Sequence, residues 1–184
     1  VQMVRFLKNG VEYKASKRSG DAITLRDVCE EVGVDAMRYF FAMRAPSSHL
    51  DFDMDLAKEQ SSNNPVYYAQ YAHARLCSII EQGKDIAIDE DAKLLEKPSE
   101  MALLKHLASF SNVIVDAAKE RAPYKITNYI HDLAKLVHGF YTECRVIDRD
   151  NIDLSSSRLA LCLASKIVMR NALDLIGVSA PERM

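Results

Sequence analysis

Apolar residues recur at helical spacing through most of the chain from Asn64 onward. Asparagine is a good N-cap and proline fits the first helical turn, so Asn64-Pro65 predicts the start of a long helix that ends near Gly83. Three more amphipathic helices are predicted: from Pro98 to just before Pro123, from Tyr124 to Val146 and from Leu154 to Ile176. Four long helices with short connections predict a mainly α protein built as an antiparallel bundle.

The pattern of the first 60 residues is mixed rather than helical. Asn9-Gly10 between two short apolar runs predicts a two-residue hairpin turn. Alternating residues from Leu50 to Met54 predict a strand. Between and after them, two helices and a further helical turn give the predicted order β-β-loop-α-α-β-α.

Polar residues mark the expected starts of these short helices. Thr24, with Asp27 three residues later, predicts a capped helix. Asp35 is expected to cap the next helix, and Asp53 or Asp55 the helical turn after the strand. The linker between the first two long helices, from Lys84 to Lys97, is expected to contain one short helix around Leu94-Leu95.

Composition narrows the functional classes. The chain has 184 residues, 48% of them hydrophobic, with a formal charge of −2. This allows a sizeable core and excludes a globally basic nucleic-acid binder, but not a local basic groove. The four cysteines form no C-x-x-C pair, so we interpret them as reduced thiols of a cytosolic protein. Neither a membrane span nor a signal peptide is predicted.

Tyr67, Tyr71 and Arg75 share one face of the first long helix, because they are spaced by four residues. Aromatic rings and guanidinium groups stack on and hydrogen-bond to unpaired bases. The alternative is a buried aromatic stripe with Arg75 in an ion pair. One of Tyr67 and Tyr68 must pack the helix onto its neighbours.

Two other clusters have candidate chemistry. The stretch from Lys14 to Gly20 combines three basic residues, two hydroxyls and a glycine, which suits a phosphate-binding loop but also an ordinary solvated turn. His73 and Cys77 lie one helical turn apart, and we interpret them as packing residues because no further metal ligand is spaced to join them.

Several stretches, in order and spacing, resemble the arginyl-tRNA synthetase family. Lys14-Ala15-Ser16-Lys17-Arg18 resembles the class I loop written K-M-S-K-S, in the K-M-S-K-R form common in bacterial arginyl enzymes. Asp35-Ala36-Met37-Arg38 resembles the D-A-L-R element of that family's anticodon-binding domain. Further matching stretches are residues 49–53, 64–75, 140–141, 144–146 and 175–184. The resemblance covers essentially the whole chain.

The resemblance implies a C-terminal portion of such an enzyme. Residues 1–60 would be the end of the class I catalytic domain, with the loop at 14–20, and residues 61–184 the helical anticodon-binding domain. The full enzyme would use ATP, with Mg²⁺, to attach arginine to tRNA(Arg). The class I H-x-G-H element is absent, so we expect this chain alone to be inactive. A cytoplasmic monomer that does not bind membranes is expected.

The resemblance also implies roles in the catalytic loop. Lys17 would stabilise the charge that develops on the departing pyrophosphate. Lys14 and Arg18 would assist, and Ser16 would shape this ATP-binding loop. Ala15 replaces the usual Met and Arg18 the last Ser. Without its partner surface, we expect the loop to be mobile.

For the anticodon, the resemblance implies recognition of the central C that most arginine tRNAs share. Tyr71 and Tyr141 are the stacking candidates, Arg75 and Arg145 could hold phosphates or base edges, and Asn128 is a further polar candidate. Met184, as the last residue, would reach the anticodon, where its carboxylate accepts from the cytosine amino group. The alternatives are that Tyr141 is a core residue and that Arg145 pairs with an acidic neighbour, Asp148 or Glu143.

Three competing interpretations stay open at this point. The chain could be a helical module that binds a protein partner, which would expose a large apolar patch. It could be the related domain of another synthetase, such as the glycyl enzyme's β subunit, which would lack the loop at 14–20. It could be an active standalone enzyme, against which the missing motifs argue.

Overall fold

A computed structural model of the chain describes residues 3–13, 24–89 and 91–184. The elements in chain order are β1 (Val4–Lys8), β2 (Val11–Glu12), α1 (Leu25–Val32), α2 (Val34–Ala42), β3 (Leu50–Asp53), α3 (Met54–Lys58), α4 (Pro65–Gln82), α5 (Pro98–Ala108), α6 (Phe110–Glu120), α7 (Tyr124–Glu143) and α8 (Ile152–Leu175). The mainly helical class and the mixed β and α order of the first 60 residues are confirmed. The expected mobile loop at 14–20 lies outside the described residues.

The hairpin turn adopts the backbone that its two residues favour. Asn9 and Gly10 have φ angles of 54° and 72°, the left-handed values that a tight hairpin turn requires. Strand β1 pairs antiparallel with β2 and parallel with β3, so the sheet order is β2-β1-β3. Phe6 lies opposite the fully buried Phe52, and the Phe40 ring of α2 packs 5.3 Å from that of Phe52. The sheet is thereby joined to α2.

The short helices confirm two of the three expected caps. Thr24 and Asp27 form a reciprocal capping box at α1, and Asp53 accepts from two backbone N–H groups at the start of α3. Helix α2, however, begins at Val34, so Asp35 lies inside its first turn. The prediction that Asp35 caps α2 is wrong, because its carboxylate instead accepts from Ser179 near the end of the chain.

The long helices follow the apolar pattern closely, with local exceptions. Asn64 caps α4 through its side-chain oxygen and Pro65 opens the helix, as predicted. Helix α7 ends at Glu143, three residues before its predicted end, and α8 begins at Ile152, two residues before its predicted start. The predicted short helix around Leu94 is wrong, because this part of the chain forms turns.

The predicted helix from Pro98 to Pro123 is divided at Ser109 into α5 and α6. The carbonyl of His106 accepts from both the hydroxyl and the N–H of Ser109, at 2.7 and 3.1 Å. The hydroxyl of Tyr129 donates to the same carbonyl at 3.0 Å. Because these donors lie away from the i→i+4 position, they break the helical ladder without a glycine or proline.

Contacts between side chains give the directions of the long helices. Tyr68 packs against His131 and Arg75 against Tyr141, so α4 and α7 run parallel. Helix α8 runs antiparallel to α4, because Leu159 near its start lies beside Gly83 just past the end of α4. Helix α5 runs antiparallel to α7, because Ser99 near its start lies beside Cys144 and His106 near its end beside Tyr129. Helices α4 and α7 therefore run opposite to α5 and α8, and the linker of residues 84–97 connects α4 to α5 at one end of the bundle.

That linker is held by the start of α8 and by the turn before it. Asp85 pairs with Arg149 at 2.5 Å, and Asp89 accepts from the Ser157 hydroxyl at 2.9 Å. The Ser156 hydroxyl donates to the Ala87 carbonyl. The acidic residues of the linker thus bind the start of α8 and the turn before it.

A buried ion pair lies at the same end of the bundle. Arg158 of α8 donates from Nε to the Glu100 carboxylate of α5 at 2.7 Å, and the two side chains are only 6% and 1% exposed. Glu100 also accepts from the N–H groups of Glu96 and Lys97, and Arg158 donates to the Arg145 carbonyl. This network joins the starts of α5 and α8 to the end of α7.

No helix among the described residues is long and apolar enough to cross a membrane. All four cysteines are free, and Cys144 and Cys162 are buried.

Candidate functional site

Helix α4 presents a polar and aromatic face to solvent because its small residues face inward. Ala69, Ala72 and Leu76 are buried and bring α4 close to its neighbours. On the opposite side, the Tyr71 side chain is 40% exposed. Arg75, one turn further on, is also exposed. The alternative of a buried aromatic stripe is therefore wrong for these two residues.

The two tyrosines that precede Tyr71 are both half-buried but have different neighbours. Tyr67 stacks on Tyr71, with ring centroids 6.4 Å apart and an interplanar angle of 15°. Tyr68 points toward α7, where its ring meets His131 edge-on at 5.9 Å. Tyr68 is thus the residue that packs the helix onto its neighbour, and Tyr67 extends the surface face.

Helix α7 adds a second aromatic group to this face. The Arg75 guanidinium lies 5.3 Å from the centroid of the Tyr141 ring, within cation–π distance. The Tyr141 hydroxyl is joined to His138 Nδ1 by a hydrogen bond of 2.6 Å. Burial raises the pKa of Tyr141, although Arg75 opposes the shift. The hydroxyl therefore stays protonated at neutral pH and remains able to donate.

A groove of about 680 Å³ runs beside Tyr71 and Arg75, between α4, α8 and the end of the chain. Its charged lining consists of three basic side chains and two acidic ones: Arg75, Lys166, Arg183, Glu81 and Glu182. Lys166 and Glu182 pair at 3.5 Å. The groove of a chain with net charge −2 thus brings basic side chains together where they can contact phosphates locally, beside acidic ones.

A smaller, mostly apolar cleft of about 220 Å³ adjoins the groove, since Tyr71 lines both. The other lining residues are Ser62, Tyr67, Tyr68 and His138. A flat ring placed at Tyr71 would therefore have aromatic surface on one side and charged groups on the other, which is the combination that unpaired nucleotides require.

The residues after α8 complete the groove. His73 is buried on α4, and its Nδ1 lies 2.8 Å from the Pro181 carbonyl. Since a carbonyl only accepts, Nδ1 carries the proton and donates. Burial lowers the pKa of His73, and nearby Lys166 and Arg170 lower it further despite the bond to Pro181. A neutral histidine thus holds the end of the chain against α4, and Met184 lies in the groove lining.

The structure brings together four of the predicted anticodon residues: Tyr71, Arg75, Tyr141 and Met184. Two others lie elsewhere. Asn128 is exposed on α7 and lines a separate groove. Arg145 is exposed and its guanidinium lies 3.5 Å from the Asp148 carboxylate, so the ion-pair alternative describes it. The loop residues Lys14, Ser16, Lys17 and Arg18 lie outside the described residues.

Several lining residues have no role in the sequence prediction. His138 could have been found from its i, i+3 spacing to Tyr141. Lys166 and Arg183 have no such signal, because each reaches the groove from an element distant in sequence. Gln70, next to Tyr71 in sequence, does not line the groove but donates to Ser179 near the end of the chain.

The described residues contain no group of three or more histidine, cysteine or acidic residues that could hold a metal ion. Cys77 Sγ lies 3.8 Å from His73 Nδ1, which itself donates to Pro181. Burial raises the pKa of the Cys77 thiol. This pair is therefore a packing contact.

Comparison with known proteins gives a family match over most of the chain. Residues 69–184 match the DALR anticodon binding domain. The chain is 53% identical over its full length to Arginine–tRNA ligase 2 of Bacillus thuringiensis subsp. konkukian, and 51% identical to Arginine–tRNA ligase of Bacillus subtilis. It spans 34% of the length of each of these relatives.

Solved structures give the same picture. A chain assigned as an arginyl tRNA synthetase from Campylobacter jejuni superposes with a TM-score of 0.87 at 32% identity, over all of this chain and 40% of that one. Thermus thermophilus arginyl-tRNA synthetase superposes with a TM-score of 0.70 at 25% identity, over 91% of this chain and 29% of that one.

Proposed function

Because the chain belongs to the DALR anticodon binding domain family, we propose that its helical bundle binds the anticodon of tRNA(Arg). The observation that carries this proposal is the meeting of Tyr71, Arg75 and Met184 at one groove, with Tyr141 against Arg75. The relatives named above are arginine–tRNA ligases, which favours arginine over glycine as the amino acid of the tRNA.

In this proposal each group has a separate physical task. The exposed ring of Tyr71 stacks on an unpaired base, which is a sequence-tolerant contact. Arg75 is held in place by the Tyr141 ring and contacts a phosphate or a base edge. The groove contains acidic side chains as well as donors, and acceptors of this kind favour cytosine through its exocyclic amino group.

The longer protein that contains this chain would then attach arginine to tRNA(Arg) with ATP and Mg²⁺, in the cytoplasm. Residues 1–60 would be the end of its catalytic domain and residues 61–184 its RNA-binding domain. Lys17 would stabilise the departing pyrophosphate, with Lys14, Ser16 and Arg18 around it. The bundle's own contribution is to select the tRNA that the catalytic part acts on.

The test is binding of this chain to a synthetic anticodon-arm hairpin with a central C and to one with U, which presents an acceptor in place of the amino group. We expect a preference of about 1–3 kcal/mol for C, the size of one base-edge discrimination. Fluorescence anisotropy over a salt series separates base reading from phosphate contact, because only the latter weakens steeply with salt. Equal affinity for the two hairpins would refute the proposal.

The matched control is Arg121→Met, which removes a basic side chain at the end of α6, away from the groove lining. This variant should retain the preference for C. Arg75→Met removes a basic side chain from the groove itself and should weaken binding of both hairpins. If the two variants bind alike, the groove is not the RNA site.

A further inference from the structure

The last eight residues of the chain, 177–184, form an extended segment that we call the tail. It leaves α8 at Gly177, whose φ of +67° reverses the chain direction. Val178 is buried, and Pro181 accepts the hydrogen bond from His73. The tail is thus laid along α4 and brings Met184 into the lining of the groove.

Two side chains hold the beginning of the tail. The Asp35 carboxylate accepts from the Ser179 N–H at 3.1 Å, and also from the Ser179 hydroxyl. Gln70 Nε2 donates to Asp35 at 2.8 Å and to the Ser179 carbonyl at 3.0 Å. We call Asp35, Gln70 and Ser179 the clamp. Its donors and acceptors are complementary, because a carboxylate only accepts and the amide nitrogen only donates.

Arg38, which lies one helical turn after Asp35 on α2, supports the change of chain direction at Gly177. Arg38 Nε donates to the Ile176 carbonyl at 2.9 Å. The Arg38 side chain also fills the space beside Gly177, where an added Cβ would lie 2.4 Å from Nε. The position of the tail is therefore set on both sides of Gly177 by residues of α2.

Asp35 is distant in sequence from the groove residues and does not line the groove, but it lines a neighbouring pocket together with Gln70 and Met184. It precedes residues 69–184, and α2 packs on the sheet through Phe40 and Phe52. The clamp residue Gln70, however, is adjacent in sequence to Tyr71. A clamp that fixes the tail beside Gln70 also fixes the approach of Met184 to the groove.

We propose that Asp35 and Gln70 are positioning residues for anticodon binding. They contact no RNA themselves. They hold the tail so that Arg183 and Met184 line the groove next to Tyr71. This inference rests on the function proposed above and adds residues that act through the tail.

The test compares Asp35→Ala and Gln70→Ala with the parent chain. Glu30→Ala is the matched control, because Glu30 is exposed on α1 and its carboxylate makes no hydrogen bond or ion pair with a described residue. Amide hydrogen exchange measured by mass spectrometry reports on the tail without RNA. The central-C and central-U hairpins report on binding.

We expect the tail amides to exchange about tenfold faster in both clamp variants, with α7 and α8 unchanged, because the tail opens locally. Affinity for the central-C hairpin should fall about tenfold and the preference for C over U should shrink. A residue with only a structural role would not change that preference. The control should match the parent in every measurement.

Unchanged tail exchange in both variants would overturn the proposal. So would faster tail exchange with unchanged affinity and preference. If Asp35→Ala unfolds the chain, Gln70→Ala decides, since that side chain lies at the surface of α4. If the parent itself shows no preference for C, the proposed function fails, and the exchange measurement alone then decides whether the clamp holds the tail.

Discussion

Replacing Arg158 by methionine tests how strongly the buried ion pair stabilises the bundle. The substitution keeps the length of the side chain but leaves the Glu100 carboxylate buried without its cation. Breaking a buried pair in this way costs about 3–5 kcal/mol. In a protein of this size each kcal/mol lowers Tm by about 2–4 °C, so a decrease of about 6–20 °C is expected.

The assay is urea and thermal unfolding followed by circular dichroism. Arg149→Met is the matched control, because its pair with Asp85 is more than half exposed and should contribute only about 0.2–1 kcal/mol. The double variant Glu100→Gln/Arg158→Met should cost less than the sum of its single variants, because no isolated charge remains buried. Equal losses for Arg158→Met and Arg149→Met, or strictly additive costs, would refute the reasoning.

The same pair predicts a pH dependence. Burial raises the pKa of Glu100, but the hydrogen bonds from Lys97, Arg158 and Glu96 outweigh it, so the pKa lies below its ordinary value. The stabilisation is therefore present above the pKa of the unfolded chain, about 4.3, and is lost as pH falls through the folded value. Removing Arg158 raises the pKa of Glu100, so in Arg158→Met protonation relieves the buried charge and the stability difference from the parent should narrow as pH falls.

Three further predictions concern the groove and the tail. Tyr71→Ala should weaken binding of the central-C hairpin by about 1–3 kcal/mol without unfolding the chain. Tyr13→Ala also removes an exposed ring and should leave that binding unchanged. Global unfolding of Tyr71→Ala would show that the Tyr71 ring is a core residue. Because burial lowers the pKa of His73, urea stability should fall as pH drops below about 6.5, and His73→Asn should reduce that slope, the remainder coming from His131, whose pKa burial also lowers; an unchanged slope would contradict the assignment. Gly177→Ala should cost at least about 1–2 kcal/mol, because its φ is left-handed and the added Cβ would also displace the Arg38 side chain, whereas Gly139→Ala in α7 should stabilise. Similar effects on the free energy of unfolding would contradict this prediction.

Local chemistry made the starts of several elements predictable. The Asn64 cap, the Thr24 capping box and the hairpin turn at Asn9-Gly10 each depend on residues within a few positions of one another. The side chains of Tyr71 and Arg75 could also be placed together, because a helix fixes their spacing.

Contacts between distant parts of the chain were not predictable in the same way. Aspartate is common as a helix N-cap, but the side chain of Asp35 bonds Ser179, which lies 144 residues away. The division at Ser109 depends on the hydroxyl of Tyr129 from α7. The parallel pairing of β1 with β3 and the arrival of Lys166 at the groove likewise arise only from tertiary packing.

The linker between α4 and α5 has a consequence for how the chain folds. Its contacts reach Arg149 and residues 156–157 at the start of α8, across 64 to 69 positions of sequence. Loop-closure entropy opposes such distant contacts early in folding, so they form late and slow the reaction. The two helices joined by this linker pack on α7 and α8 rather than on each other, so they are not expected to form an independent hairpin, and the bundle is expected to fold as one cooperative unit.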